Sequence, residues 1–137
     1  MKHELEASWI SGMGFETSFQ GHNLIVDADE KFGGENRGVR PKPLLLLSLA
    51  GCTGMDVVSL LEKMRVPFED LKVIVSGELT EEHPKYYHKI HIVYKFKGEG
   101  LDELKVKKAV NLSQDKYCGV SAMLKMAAEI SWEIIYE

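Results

Sequence analysis

The sequence predicts an α+β fold, and three observations support this class. Segments near both ends of the chain alternate apolar and polar residues with a period of two, as half-buried strands do. One long apolar segment, residues 44–64, has the length of a helix and contains no proline. The composition, 45% hydrophobic and 28% charged, is typical of a globular chain and excludes a disordered or fibrous one.

Three short strands are predicted before the long apolar segment. Residues 5–9 alternate, and residues 15–19 alternate again after a Gly-Met-Gly break. Gly21 and His22 predict a tight turn into a third strand. The segment 29–42 is polar and contains three glycines, which indicates a loop, and it carries four basic residues: Lys31, Arg37, Arg40 and Lys42.

The apolar segment 44–64 predicts a helix with Pro41 and Pro43 at or just before its start, where a missing N–H is tolerated. It is apolar nearly all round as far as Leu61, so we expect a central helix buried on most sides by sheet and by a second subunit. A membrane span is the rival interpretation. Asp56 near the middle disfavours it, because a carboxylate there costs roughly 2.5–3.5 kcal/mol.

The second half of the chain predicts two strands, two helices and a final strand. Residues 71–79 and 88–97 read as strands, and residues 101–116 and 120–128 as helical segments interrupted at 117–119. A last alternating strand follows. The predicted order is β-β-β-α-β-β-α-α-β in a single domain, residues 1–137.

Charge and cysteine content narrow the function. The formal charge of −4 excludes nucleic acid as the principal partner, because phosphate binding needs a concentrated basic face. The first ten residues lack a secretion signal, so we expect a cytoplasmic protein. Two cysteines are too few for a disulfide scaffold, and they are therefore either packing residues or redox groups.

Both alternatives stay open for each cysteine. Cys52 lies among small residues in the apolar helix, where it either packs as a small hydrophobe or reacts as a thiolate favoured by nearby cations. Cys118 lies at the break between two helical segments, where the same choice applies. A disulfide between them requires Cα atoms within about 7 Å, which sequence spacing does not establish.

Other polar residues carry weaker signals. Asp56 is expected to need hydrogen-bond partners inside the apolar helix, and we interpret it as a structural anchor near a subunit contact. The histidines at 83, 88 and 91 do not form a metal site, because strand positions three apart face opposite sides. No metal is therefore expected. No phosphate-binding glycine loop is recognisable, and no cofactor is expected.

Two segments together resemble a known family. PKPLLLLSLAGCTGMDVV at 41–58 and LSQDKYCGVS at 112–121 resemble the OsmC/Ohr family of small thiol-dependent peroxidases, and within it the YhfA-type branch. The resemblance implies an OsmC-like fold, in which antiparallel sheets wrap around long central helices in an intertwined homodimer. It further implies that Cys52 is the peroxidatic cysteine and Cys118 the resolving cysteine.

The implied activity is reduction of organic hydroperoxides. The Cys52 thiolate takes oxygen from the peroxide, Cys118 converts the sulfenic acid to a disulfide, and an external dithiol, lipoyl-bearing or thioredoxin-like, reduces it. No membrane partner is expected. The thiolate-activating candidates are Arg37, Arg40 and Lys42.

The chain departs from the family pattern around the first cysteine. Members usually carry a Glu nine or ten residues before it, where Pro43 and Lys42 stand here, and no Arg precedes Arg37. The thiol pair is therefore retained while the activating residues differ. The alternatives are a non-enzymatic binding or stress-response module with an apolar interfacial pocket, and a structural dimer with inert cysteines.

Overall fold

The chain folds into six strands and three α-helices in the predicted order, which confirms the α+β class. The structure is a computed structural model that describes all 137 residues. It divides into two compact units, Met1–Leu45 and Leu46–Glu137. The expectation of a single domain over residues 1–137 stays a prediction.

The first unit contains an antiparallel sheet of three strands in the order β1-β2-β3. The strands are β1 (Ser8–Ser11), β2 (Gly14–Phe19) and β3 (His22–Val26). β1 begins later than the alternation from residue 5 predicts. Antiparallel pairing through short connections explains why three consecutive segments meet edge to edge.

The turn between β2 and β3 lies one residue earlier than predicted. Phe19 pairs with His22, so Gln20 and Gly21 are the two turn residues. Both have positive φ, 52° and 78°, as a type I′ hairpin turn requires. His22 is therefore the first residue of β3 rather than part of the turn.

The loop after β3 is organised by the buried carboxylate of Asp27. This side chain is 2% exposed and accepts hydrogen bonds from the backbone N–H groups of Ala28, Glu35 and Arg37. Arg37 adds an ion pair, with Nε 2.9 Å from Asp27 Oδ2. The Arg37 hydrogen bond and the backbone donors hold the pKa of Asp27 well below its usual value despite burial. The Asp27 carboxylate, directly after β3, therefore holds the predicted loop in place through these hydrogen bonds and the ion pair.

The second unit contains a sheet in the order β4-β5-β6. Its strands are β4 (Asp70–Leu79), β5 (Tyr87–Lys97) and β6 (Glu129–Tyr136). β4 and β5 pair antiparallel, whereas β5 and β6 run parallel. The expectation of purely antiparallel sheets therefore fails for β6, because helices connect it to β5 and return the chain to the same end of the sheet.

Alternation along β5 was the clearest strand signal, and it identifies the core. Ile90, Ile92, Tyr94 and Phe96 are buried and form one face of this strand. They pack with residues of the first two helices: Leu49, Val57, Leu61, Val106, Ala109 and Val110. Apolar burial contributes roughly 25 cal/mol per Å², so this face stabilises the second unit.

Helix α1 (Pro43–Lys63) matches the predicted segment within one residue at each end. Pro43 occupies its first turn, where its missing N–H has no helical partner. Its end is a Schellman motif, with Arg65 N–H bonded to Glu62 O and Val66 N–H to Leu61 O. Arg65 has φ 59°, a left-handed conformation usually taken by glycine, which explains why the sequence shows no glycine signal for this end.

The exposure of α1 differs from the sequence-based expectation. One face is buried, whereas Leu47, Met55 and Val58 are 65%, 75% and 42% exposed. The prediction that the helix is buried on most sides is therefore not met within one chain. By length and composition α1 is also able to cross a membrane, a property shared by core helices of soluble proteins.

The predicted helical region 101–128 is divided in three. It consists of α2 (Glu103–Leu112), a π-helical turn at Ser113–Tyr117, and α3 (Gly119–Leu124). The Asp102 side chain caps α2 by accepting from the backbone N–H of Lys105 at 3.2 Å. The break predicted around Cys118 is present, with this residue in an extended conformation.

The Asp27 anchor makes a pH-dependent contribution to stability. Its folded-state pKa lies below the ordinary value of 3.8, so the charge stabilises the fold above about pH 4 and this stabilisation is lost as the pH falls. We expect Asp27→Asn to lower the urea midpoint at neutral pH and the difference from wild type to shrink below about pH 4. The exposed Asp115→Asn is the control; a difference independent of pH contradicts this role.

Candidate functional site

The two cysteines lie on different elements of the second unit. Cys52 is half-buried within α1, and Asp56 follows it by one helical turn, so both project from the same face of the helix. Cys118 is 3% exposed and occupies the break before α3. Both cysteines are free thiols.

The structure brings these three side chains together. The two sulfur atoms and a carboxylate oxygen of Asp56 all lie within 4.8 Å of one another. The sequence alone does not establish that the two cysteines are close, because 66 positions separate them. The two sulfur atoms are therefore neighbours in the folded chain.

The environment of Cys118 keeps it protonated at neutral pH. Burial raises the pKa of the Cys118 thiol to about 11, opposed by a hydrogen bond that its sulfur accepts from the backbone N–H of Ser121 at 3.3 Å. Cys52 and the negative charge of Asp56 also raise this pKa, and the value of about 11 includes their effect. No positive group is among its perturbing neighbours.

A π-helical turn positions Cys118 outside the helix. The backbone N–H of Cys118 donates to Ser113 O at 2.8 Å, five residues back, which closes the wide turn. The same turn directs Ser113 and Gln114 into the interior, where they are 0% and 5% exposed. The π-helical turn therefore ends the helix at Cys118. It also places the polar side chains of Ser113 and Gln114 in the interior.

A chain of hydroxyl groups runs from Tyr94 to Asp56. Ser113 Oγ donates to Asp56 Oδ2 at 3.0 Å, and because a hydroxyl has one proton, Thr53 must donate to Ser113 at 2.7 Å. Tyr94 in turn donates to Thr53 at 2.6 Å. The four groups therefore form one directed chain that ends on the carboxylate.

Gln114 completes this buried network. Its Nε2 donates to Thr53 Oγ1 at 3.2 Å and to the Tyr94 hydroxyl at 2.9 Å. Its Oε1 accepts from Ser121 Oγ at 2.8 Å. No buried side-chain nitrogen or oxygen lacks a partner, so the network is fully satisfied. The sequence carries a signal for only two of these residues, since Ser113 and Gln114 belong to a polar run, Ser113–Tyr117, directly before the cysteine.

Arg37, a predicted thiolate-activating residue, is fully engaged within the first unit. Its Nη1 donates to Ser11 Oγ and its Nη2 to Ser11 O, both at 2.7 Å, in addition to the ion pair with Asp27. Glu35 lies 3.2 Å from Nε. These hydrogen bonds give Arg37 a structural role in joining the loop to the first sheet.

Arg40 is likewise held by its own loop. Its Nη1 donates to Asp27 O and Gly38 O at 3.2 and 2.9 Å, and its Nη2 donates to Asn36 Oδ1 at 2.7 Å. Lys42 is exposed and takes part in none of the ion pairs. Among the three predicted cations, Lys42 alone has an unpaired charge.

Comparison with known proteins identifies the family to which this chain belongs. A family model described as OsmC-like protein matches residues 33–133. The chain is 31% identical over 135 residues to Protein YhfA of Escherichia coli K12, covering 96% of this chain and 98% of that protein.

Solved structures share the fold over the full length. A hypothetical protein from Aquifex aeolicus has a TM-score of 0.84 and 35% identity, covering 100% of this chain and 99% of that one. An organic hydroperoxide resistance protein OsmC from Legionella pneumophila has a TM-score of 0.71 and 15% identity, covering 97% of each chain. At that identity the likeness concerns the fold alone.

The site and fold are therefore those of a small α+β protein with paired thiols, and the chain belongs to the OsmC-like family. The resemblance seen in the two cysteine segments is confirmed.

Ser113 connects the network to Asp56, and its removal has a measurable cost. Ser113→Ala leaves the Asp56 carboxylate and the Thr53 hydroxyl without this partner, so we expect a loss of about 1–3 kcal/mol in the free energy of unfolding. Urea denaturation measures it. The matched control is Ser59→Ala on an exposed position of α1, and equal effects of the two variants contradict the assigned role.

Proposed function

We propose that this protein is a thiol-dependent peroxidase that reduces organic hydroperoxides. The observation that carries the proposal is the contact of two free cysteines, one half-buried and one buried, on separate elements. Family membership supports it, and proteins of the same fold from Legionella pneumophila and Elizabethkingia anophelis are named organic hydroperoxide resistance proteins.

The different exposure of the two thiols supports different roles for them in this proposal. Cys52 is accessible to a peroxide, and its thiolate attacks the distal oxygen, breaks the O–O bond, and with one proton releases an alcohol. Cys118 is buried and protonated, so it does not compete for the peroxide. It then attacks the Cys52 sulfenic acid, which forms the disulfide and releases water.

The thiolate of Cys52 requires a cation, and we propose it comes from the loop candidates Arg37, Arg40 and Lys42. The two arginines are already bonded within the loop, whereas Lys42 has no ion-pair partner. We therefore rank Lys42 first. An external dithiol, lipoyl-bearing or thioredoxin-like, returns the disulfide to two thiols, which suits a cytoplasmic protein.

A homodimer is part of the proposal. Proteins of this family are generally homodimers. The exposed side of α1 forms part of a groove of about 630 Å³. Its lining includes Gly51, Gly54 and Met55 of the helix and Phe68 after it, and a second copy would cover this surface.

Oxidation by one equivalent of a bulky organic hydroperoxide tests the peroxidase. We expect intact-mass spectrometry to show loss of two hydrogens and peptide mapping to show a Cys52–Cys118 disulfide. Cys118→Ser should instead accumulate a sulfenic acid on Cys52 that a cyclic diketone traps, whereas Cys52→Ser should remain unoxidised. A wild-type protein that stays reduced excludes this cycle and favours the non-enzymatic binding module.

The dimer is tested by placing a charge on the exposed side of α1. Met55→Lys should convert the dimer to monomers in sedimentation velocity, because an ammonium group is costly to bury without a partner. Leu104→Lys is the control, since Leu104 is 82% exposed on α2. A monomeric wild type, or a dimeric Met55→Lys protein, contradicts the assignment.

A further inference from the structure

The three side chains at the site form a set of metal-ion donors. Two thiols and a carboxylate lie within 4.8 Å of one another. Cys52 and Asp56 are four residues apart on α1, the spacing at which two ligands on one helix bind a single ion. Cys118 adds a third ligand from a separate element.

The chemistry of the donors selects the ion. Thiolate ligands favour soft or borderline divalent cations, and a carboxylate is compatible with zinc. Zinc–sulfur bonds of about 2.3 Å place two sulfur atoms roughly 3.8 Å apart in a tetrahedral site. The separations of up to 4.8 Å therefore need a closure of at most about 1 Å, within reach of side-chain rotation at the half-buried Cys52.

Groups around the donors hold two of them in place. Asp56 is held by the Ser113 hydroxyl through Oδ2, so its other oxygen is available to an ion. The Cys118 sulfur accepts from the Ser121 N–H, a bond that orients a thiolate ligand. No ion pair in the structure involves Asp56, so no side-chain cation neutralises it.

We propose that the reduced protein binds one zinc-class divalent cation through Cys52, Asp56 and Cys118. Binding releases two thiol protons, and water occupies the fourth position of the tetrahedron. The proposal differs from the sequence-based expectation of no metal site, which weighed the histidines and not the two cysteines.

Metal binding and oxidation are mutually exclusive, and this part rests on the proposed function. One hydroperoxide and two protons convert the two bound thiolates to a disulfide, an alcohol and water, with two electrons passing from sulfur to the peroxide. The disulfide has lost both thiolate ligands, so the cation leaves. Oxidation of the two thiolates is therefore accompanied by release of the zinc.

Titration of the fully reduced protein with Zn²⁺, and with Cd²⁺ as an optical probe, tests the site. We expect one equivalent to bind, with a thiolate-to-cadmium charge-transfer band that is absent from Cys52→Ser and Cys118→Ser. Asp56→Asn should weaken binding at least ~10-fold. Asp115→Asn, at an exposed position, should bind as wild type does.

Two results overturn the proposal: no binding by the reduced protein, or equal affinity in Asp56→Asn and Asp115→Asn. Circular dichroism of each variant separates ligand loss from unfolding. Adding one equivalent of organic hydroperoxide to the zinc-loaded protein should release the zinc to a colorimetric chelator. A disulfide formed by a protein that never binds zinc refutes this inference alone; zinc bound by a protein that peroxide never oxidises refutes the peroxidase alone.

Discussion

The site depends on one hydrogen-bonded chain, from Tyr94 through Thr53 and Ser113 to Asp56. Each hydroxyl has a single proton, so the chain has one direction and must end on an acceptor, which the carboxylate provides. It links α1, β5 and the π-helical turn in the interior. Because Cys118 follows that turn, the spacing of the two sulfur atoms depends on a polar network as well as on apolar packing.

The electrostatics of this site explain why an activating basic side chain and a bound metal ion are both proposed. A carboxylate and two thiols lie together, and burial with its neighbours raises the pKa of Cys118 to about 11. Negative charge on the Cys118 sulfur is therefore disfavoured until a cation is present. In the proposed peroxidase cycle a basic side chain would supply that charge, and in the proposed metal-bound form of the reduced protein a zinc-class ion would. Both proposals supply positive charge to a cluster of two thiols and a carboxylate.

The helices and strands could be predicted from the sequence because the patterns that indicate them are local. Alternation identified the buried face of β5, and a long, mainly apolar segment without internal proline identified α1 within one residue at each end. The parallel pairing of β6 depends on where α2 and α3 return the chain, which no local pattern encodes. The contact of Cys52 with Cys118 depends on the same return. Thr53 and Ser113 are ordinary polar residues in sequence, and only folding across 60 positions makes them neighbours.

The central claim is that Cys52, Cys118 and Asp56 form one cluster in the reduced protein. A crystal structure of the reduced, assembled protein tests it most directly. The account predicts both sulfur atoms within about 5 Å of each other, Asp56 bonded to Ser113, and a cation, either a basic side chain or a bound metal ion, beside Cys52. Cysteine Cα atoms more than about 7 Å apart, with no positive group near either sulfur, would contradict it.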